Sequence, residues 1–86
     1  MYLIIVYDLP VEKISKIHKI LRRYLNWVQN SVFEGDLTES KSAELIKILK
    51  KEIRNDDRMR IYQLKSRKSL GRIIQLGKNI KDFEVI

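Results

Sequence analysis

Apolar positions recur along this chain in two rhythms, every second residue and every third or fourth, and the changes between them predict its elements. Residues 2–8, Tyr2-Leu3-Ile4-Ile5-Val6-Tyr7-Asp8, are largely aromatic and β-branched and predict an opening strand. Pro10 suits the first turn of a helix. Over residues 11–25, Ile14, Ile17, Leu21 and Leu25 form one stripe while Lys16, Lys19 and Arg23 form another, as in an amphipathic helix. Residues 27–34 read as extended structure, broken by a tight turn near Asn30-Ser31 and ended by Gly35-Asp36. Thr38 is placed to cap a second helix with Glu39 in its first turn, and Leu45, Ile46, Leu49 and Ile53 carry helical spacing through residue 53. Asn55-Asp56-Asp57 predicts a turn and residues 59–64 a strand. Ser66–Ser69 reads as a basic loop, and residues 72–77 as a last, short strand.

Two helices and about four strands in this order predict an α+β fold. The expected form is a ferredoxin-like βαββαβ sandwich with an extra C-terminal strand, one domain over residues 1–86. Alternation puts Tyr2, Ile4, Val6 and Asp8 on one face of the first strand and Leu3, Ile5 and Tyr7 on the other. Both faces are apolar, yet two helices cover only one face of such a sheet. A second copy of the chain is the simplest cover for the other, so a twofold homodimer is expected, with the strand at about 72–77 pairing onto the partner. A chain of 86 residues has a thin core of its own, which favours oligomerisation.

Composition narrows the chemistry. There is no cysteine, so neither a disulfide nor a thiolate metal site is available, and a reducing compartment fits. The apolar run at residues 2–7 is too short for a signal peptide or for a membrane span of roughly 20 residues. No membrane role and a cytoplasmic location are expected. The formal net charge is +7. Residues 1–40 are balanced: Lys13, Lys16, Lys19, Arg22 and Arg23 stand against Asp8, Glu12, Glu34, Asp36 and Glu39. The whole excess therefore lies in residues 41–86. A polyanion such as nucleic acid is one partner this suits; a solubilising or heat-adapted surface is the other reading.

Asp8 ends the apolar strand, where an uncompensated carboxylate is costly. Either it caps the following helix, or two copies approach the dimer axis and hold Mg²⁺ or Mn²⁺ with waters, a metal that could activate water against a phosphodiester. His18, the single histidine, reads as packing or surface. No zinc-ligand cluster, credible Ser-His-Asp arrangement or Gly-rich phosphate loop is present. Arg22, Arg23, Arg58, Arg60, Lys65, Arg67, Lys68 and Arg72 are candidate phosphate contacts, irregularly spaced as backbone contacts are. Trp27 and Phe33 could stack on bases, but core packing is the better expectation for both.

The segment Trp27-Val28-Gln29-Asn30-Ser31-Val32-Phe33-Glu34-Gly35, after a strand ending Tyr7-Asp8, resembles the CRISPR-associated Cas-two family, small subunits of the spacer-acquisition machinery. The resemblance continues through Arg60-Ile61-Tyr62-Gln63-Leu64 and Ile74-Gln75-Leu76-Gly77. It implies a ferredoxin-like homodimer and a divalent metal, Mg²⁺ or Mn²⁺, held by the aspartate matching Asp8. It further implies metal-dependent endonuclease activity on RNA or double-stranded DNA, and a Cas-one integrase as partner. Tyr7, Ser31 and Phe33 match positions near the proposed catalytic site. Many relatives carry arginines where this chain has Val11, Glu12 and Lys13, so the resemblance leaves Lys13 and Lys16 as replacements for that charge. Two other roles compete: a non-catalytic architectural subunit that grips DNA for the integrase, and an mRNA-cleaving toxin of the VapD-like type.

Overall fold

The computed structural model describes residues 1–71. The opening strand β1 (Tyr2–Asp8) is followed by α1 (Val11–Arg22), β2 (Asn26–Gln29), β3 (Val32–Asp36), α2 (Glu39–Glu52) and β4 (Arg58–Leu64), with a 3₁₀ turn at Arg67–Leu70. One four-stranded sheet runs in the order β2-β3-β1-β4. All three strand pairings are antiparallel. Each helix thus joins two strands that have another strand between them, which is the split βαβ arrangement of the ferredoxin-like fold. The strand expected over 72–77, and with it Arg72, lies outside the described residues.

The local signals act as the sequence pattern predicts, with small displacements. Pro10 sits one place earlier than expected, as the N-cap of α1 rather than inside its first turn. The regular helix ends at Arg22, not at 25, because i→i+3 bonds from Arg23 and Tyr24 tighten the last turn. Leu25 still donates its N–H to Leu21 at 2.8 Å and remains buried, so the apolar stripe outlasts the helix. Asn30, at φ 34°, makes the turn between β2 and β3. Gly35 and Asp36 are the last two residues of β3, pairing with Leu3 and Tyr2, so the strand ends where expected. Thr38 caps α2, its hydroxyl accepting from the Lys41 N–H at 3.1 Å. The basic segment at 66–69 is mostly the 3₁₀ turn.

The core fills one side of the sheet. Leu3, Ile5 and Tyr7 of β1, with Phe33 of β3, meet Ile17, Ile20, Leu21 and Leu25 from the α1 region and Leu45 and Leu49 of α2. Registers place Ile5 between Phe33 and Ile61, so three strands present apolar side chains at one level. The same registers put Val6 beside Val32 and Arg60, and Ile4 beside Glu34 and Tyr62, on the opposite face. Among the described residues no helix covers that side. Tyr2 is buried there and Ile4 half-buried, but Val6 is 38% exposed and Tyr62 47%.

Candidate functional site

The end of β1 is where the chain concentrates polar chemistry. β1 keeps β4 beside it to its last residue, where Asp8 faces Arg58, but its pairing with β3 stops at Val6–Val32. One further bond, from the Tyr7 N–H to the Ser31 carbonyl at 3.1 Å, extends the hold on that side. Asp8 therefore sits on a strand end that is fixed on both edges up to the preceding residue. Its carboxylate is exposed. It does not cap the following helix: the cap is Pro10, and no side chain bonds to it. Among the described residues Asp8 makes no salt bridge. Pro10, not Asp8, is thus the cap, and among the described residues the Asp8 carboxylate has no ion-pair partner.

A groove runs beside it, lined by Val6, Tyr7 and Asp8 of β1 and by Asp57, Arg58, Met59, Arg60 and Tyr62 around β4. Arg58 and Arg60 share the open face with Asp8 and Val6, so two guanidinium groups stand along the wall of the groove. Arg60 also approaches the Tyr62 hydroxyl at 3.5 Å.

Tyr7 and Phe33 are brought to the other side. Alternation turns both side chains to the helix layer, where Tyr7 is 4% and Phe33 0% exposed. Tyr7 hydrogen-bonds His18, and the two rings join Phe33 and Trp27 in one aromatic cluster with centroid separations of 4.9–6.4 Å. Burial pushes the Tyr7 phenol up to about 12. Burial, and then the nearby Arg22 cation, hold His18 below its usual value. Ser31 is half-buried in the β2–β3 turn and reaches the site through its carbonyl. Of the residues expected near the chemistry, Asp8 alone extends its side chain from β1 onto the open face; Tyr7, Ser31 and Phe33 support the strand that carries it.

The expected phosphate contacts divide by location. Lys13 forms an ion pair with Asp57 and also donates to the Glu52 carbonyl at 3.3 Å. Lys16 is paired with Glu52 at 3.0 Å. The two lysines expected to stand in for helix arginines therefore both face carboxylates of this chain. Arg22 lies over the Trp27 ring, 4.9 Å from its centroid, and Arg23 is the C-cap of α1. Arg67 and Lys68 are exposed on the 3₁₀ turn, where Arg67 reaches the Gly71 carbonyl at 3.5 Å.

Asp57 is the residue the sequence did not single out. It reads there as the third residue of a polar turn. In the fold its side chain is only 4% exposed, accepting from Lys13 and from the Arg54 N–H at 2.8 Å. The Lys13 bond, and next the Arg54 N–H, hold its carboxyl below the usual value. No local signal marks this, since Lys13 and Asp57 are 44 residues apart.

The carboxylate chemistry at this strand end suits a hard divalent cation, because Mg²⁺ is commonly held by one or two carboxylates and keeps several waters. Asp8 supplies one exposed oxygen donor group, and Asp57 is already engaged. Among the described residues no group of three or more His, Cys, Asp or Glu could hold an ion by itself. Among the described residues one chain thus offers a single exposed, unpaired carboxylate at this strand end. Among the described residues no helix is long and apolar enough to cross a membrane.

Comparison with known proteins gives these features a context. The family model for CRISPR associated protein Cas2 matches residues 1–72. A protein of Methanosarcina acetivorans named CRISPR-associated endoribonuclease Cas2 is 46% identical over 72 residues, spanning 83% of each chain. One of Archaeoglobus fulgidus, CRISPR-associated endoribonuclease Cas2 2, is 42% identical and spans 99% of this chain and 95% of its own. Among solved structures, a crystal structure of Cas2 at 38% identity covers all of this chain and 97% of its own with a TM-score of 0.84. Streptococcus pyogenes Cas2 at 27% identity covers 90% of this chain and all of its own, with a TM-score of 0.74. Sequence model, relatives and fold agree over nearly the whole length: this chain belongs to the CRISPR-associated Cas2 family.

Proposed function

We propose that the protein is a metal-dependent endonuclease that hydrolyses phosphodiester bonds of RNA or double-stranded DNA as a homodimer, within the cytoplasmic spacer-acquisition module. The observation that carries this reading is Asp8: an exposed carboxylate at the end of the central strand, free of capping and of ion pairing among the described residues. Such a group suits a ligand from outside the chain. Relatives named endoribonuclease support the same activity here. The half-open sheet face with Val6 and Tyr62 supports a second copy as its cover, which would bring two Asp8 side chains to one site. A bound Mg²⁺ or Mn²⁺ would supply an acidified water and offset charge on the phosphate. The chain's own residues hold Asp8 on a fixed strand end, line the groove with Arg58 and Arg60, and present them to a phosphate backbone.

The test is a nuclease assay of wild type and Asp8→Asn on RNA and duplex DNA, with and without Mg²⁺. Metal-stimulated cleavage is expected in the wild type and absent from the variant. Equal cleavage by both would remove Asp8 from the reaction.

A second reading, the non-catalytic subunit that holds DNA for a Cas-one integrase, draws support from the burial of Tyr7 and Phe33, which leaves few side chains to do chemistry. An Asp8→Asn protein that still supports spacer integration would favour it.

A further inference from the structure

Asp57, which lines the groove beside Asp8, forms a part-buried ion pair with Lys13, and that pair alters which residues nucleic acid can use. Lys13 lies in the first turn of α1, and its ammonium has two acceptors, the Asp57 carboxylate and the Glu52 carbonyl. Asp57 lines the groove together with Asp8, Arg58 and Arg60. We propose that Asp57 withdraws Lys13 from the nucleic-acid interface, so that Asp57 sets how tightly this groove takes a phosphate backbone. The proposal rests on the nucleic-acid reading above and adds a residue that determines affinity within it.

The physical reason is an unequal exchange. A phosphate that took Lys13 would leave the Asp57 carboxylate without its cation at a position where the side chain is 4% exposed. Removing the partner of a part-buried carboxylate costs more than breaking a fully exposed pair, because its remaining lone pairs are less open to water. The phosphate itself gives up hydration to gain a single ammonium. Asp57 also keeps its bond from the Arg54 N–H, which fixes the carboxylate in place as a competitor. Lys16 is matched in the same way by Glu52, although that pair is more exposed and easier to open. The first helix turns therefore carry two lysines that add little to the charge nucleic acid meets, and the arginines of β4 are left as the cations of the groove wall.

The test measures binding of a labelled DNA duplex, and of RNA of the same sequence, by fluorescence anisotropy over a range of salt concentrations. Asp57→Asn is compared with Asp56→Asn, which makes the same charge change at the neighbouring exposed acid. Asp57→Asn should bind several-fold more tightly than Asp56→Asn, and its salt dependence should steepen by about 0.9 on duplex DNA, the slope of one added phosphate contact. The double variant Lys13→Met with Asp57→Met, which replaces the pair by apolar side chains, should bind as the wild type does. A double variant that loses one contact's worth of slope, or an Asp57→Asn no tighter than Asp56→Asn, would overturn the proposal. Acetylation of lysine amines, followed by mass spectrometry, reads the pair without nucleic acid. Lys13 should react more slowly than the exposed Lys19 in the wild type, and equal rates would also overturn it. A wild type that binds neither nucleic acid at low salt would instead end the nucleic-acid reading, while a protected Lys13 would leave the pairing intact.

Discussion

The phenol of Tyr7 and the imidazole of His18 share a hydrogen bond that ties the last turnless stretch of the central strand to the middle of α1. Burial disfavours the imidazolium, and the tautomer of the neutral ring decides which partner donates: the phenol O–H to a bare Nε2, or an Nε2–H to the phenol oxygen. Because Asp8 is the next residue, this bond holds the backbone that carries the exposed carboxylate.

Removing either partner should cost about 1 kcal/mol of stability, the usual net value of a neutral hydrogen bond, with some addition for the group left buried. Tyr7→Phe and His18→Phe should each lower the urea midpoint, and the double variant should cost less than their sum because both remove the same bond. Strict additivity in chemical denaturation would show that the two side chains act separately.

The same pair gives stability a pH dependence. The folded protein holds His18 below the value of about 6.5 that it has when unfolded, so between those two values the unfolded chain binds the extra proton. The contribution is fully present above about pH 6.5 and is lost as pH falls from there through the folded value. The charged and aromatic groups facing the ring are Arg22, Tyr7, Trp27 and Phe33, and none of them is an acid that would reverse the sign. Melting temperatures taken from pH 8 to pH 5 should fall more for the wild type than for His18→Gln. Parallel curves would assign the acid sensitivity elsewhere.

Val6 reports on the open face. A lysine there would place a charge at the centre of any sheet-to-sheet contact while leaving the helix-side core untouched. Val6→Lys should run as a monomer in sedimentation where the wild type runs as a dimer, with its melting curve still cooperative. A wild type that is monomeric at micromolar concentration would remove the homodimer from the proposal.

Gly35 owes its place in β3 to a neighbour rather than to backbone freedom. A Cβ built there would lie 3.1 Å from Leu25 Cδ2 and 3.5 Å from Leu25 Cα. The first contact is with the movable end of a side chain, so Gly35→Ala should cost little, roughly 1 kcal/mol or less. Gly35→Val has two further carbons to fit against the Leu25 backbone and should cost about 2 kcal/mol or more. Thermal denaturation of the two variants separates tight packing from a conformational need for glycine, which would penalise both alike.

These residues also show what a sequence can and cannot disclose. Alternation in Tyr2–Asp8 is a property of neighbours, and it correctly placed Leu3, Ile5 and Tyr7 inside and Val6 and Asp8 outside. Thr38 and Asn30 act through atoms within three residues, and both were legible as a cap and a turn. Gly35 stands at the end of its strand as its sequence suggests, but its close contact with Leu25, ten residues earlier, leaves no local mark. Tyr7 and Phe33 lie buried on the helix side of the sheet, while Asp8 lies on the open face. Lys13 reads as an available cation in the sequence, and the fold pairs it with Asp57.

The strand order has a bearing on how the molecule is made. β1 is the first element to be synthesised, yet it occupies an inner position and both of its neighbours come later. Its partner β4 is separated from it by two helices and two strands, a long-range closure of the kind that slows folding. A nascent chain lacking residues 58–64 would expose one edge of an almost wholly apolar strand, and Leu3, Ile5 and Tyr7 would have only a partial sheet behind them. Residues 58–64 thus complete the β1–β4 pairing, and chains truncated before them should be prone to aggregate.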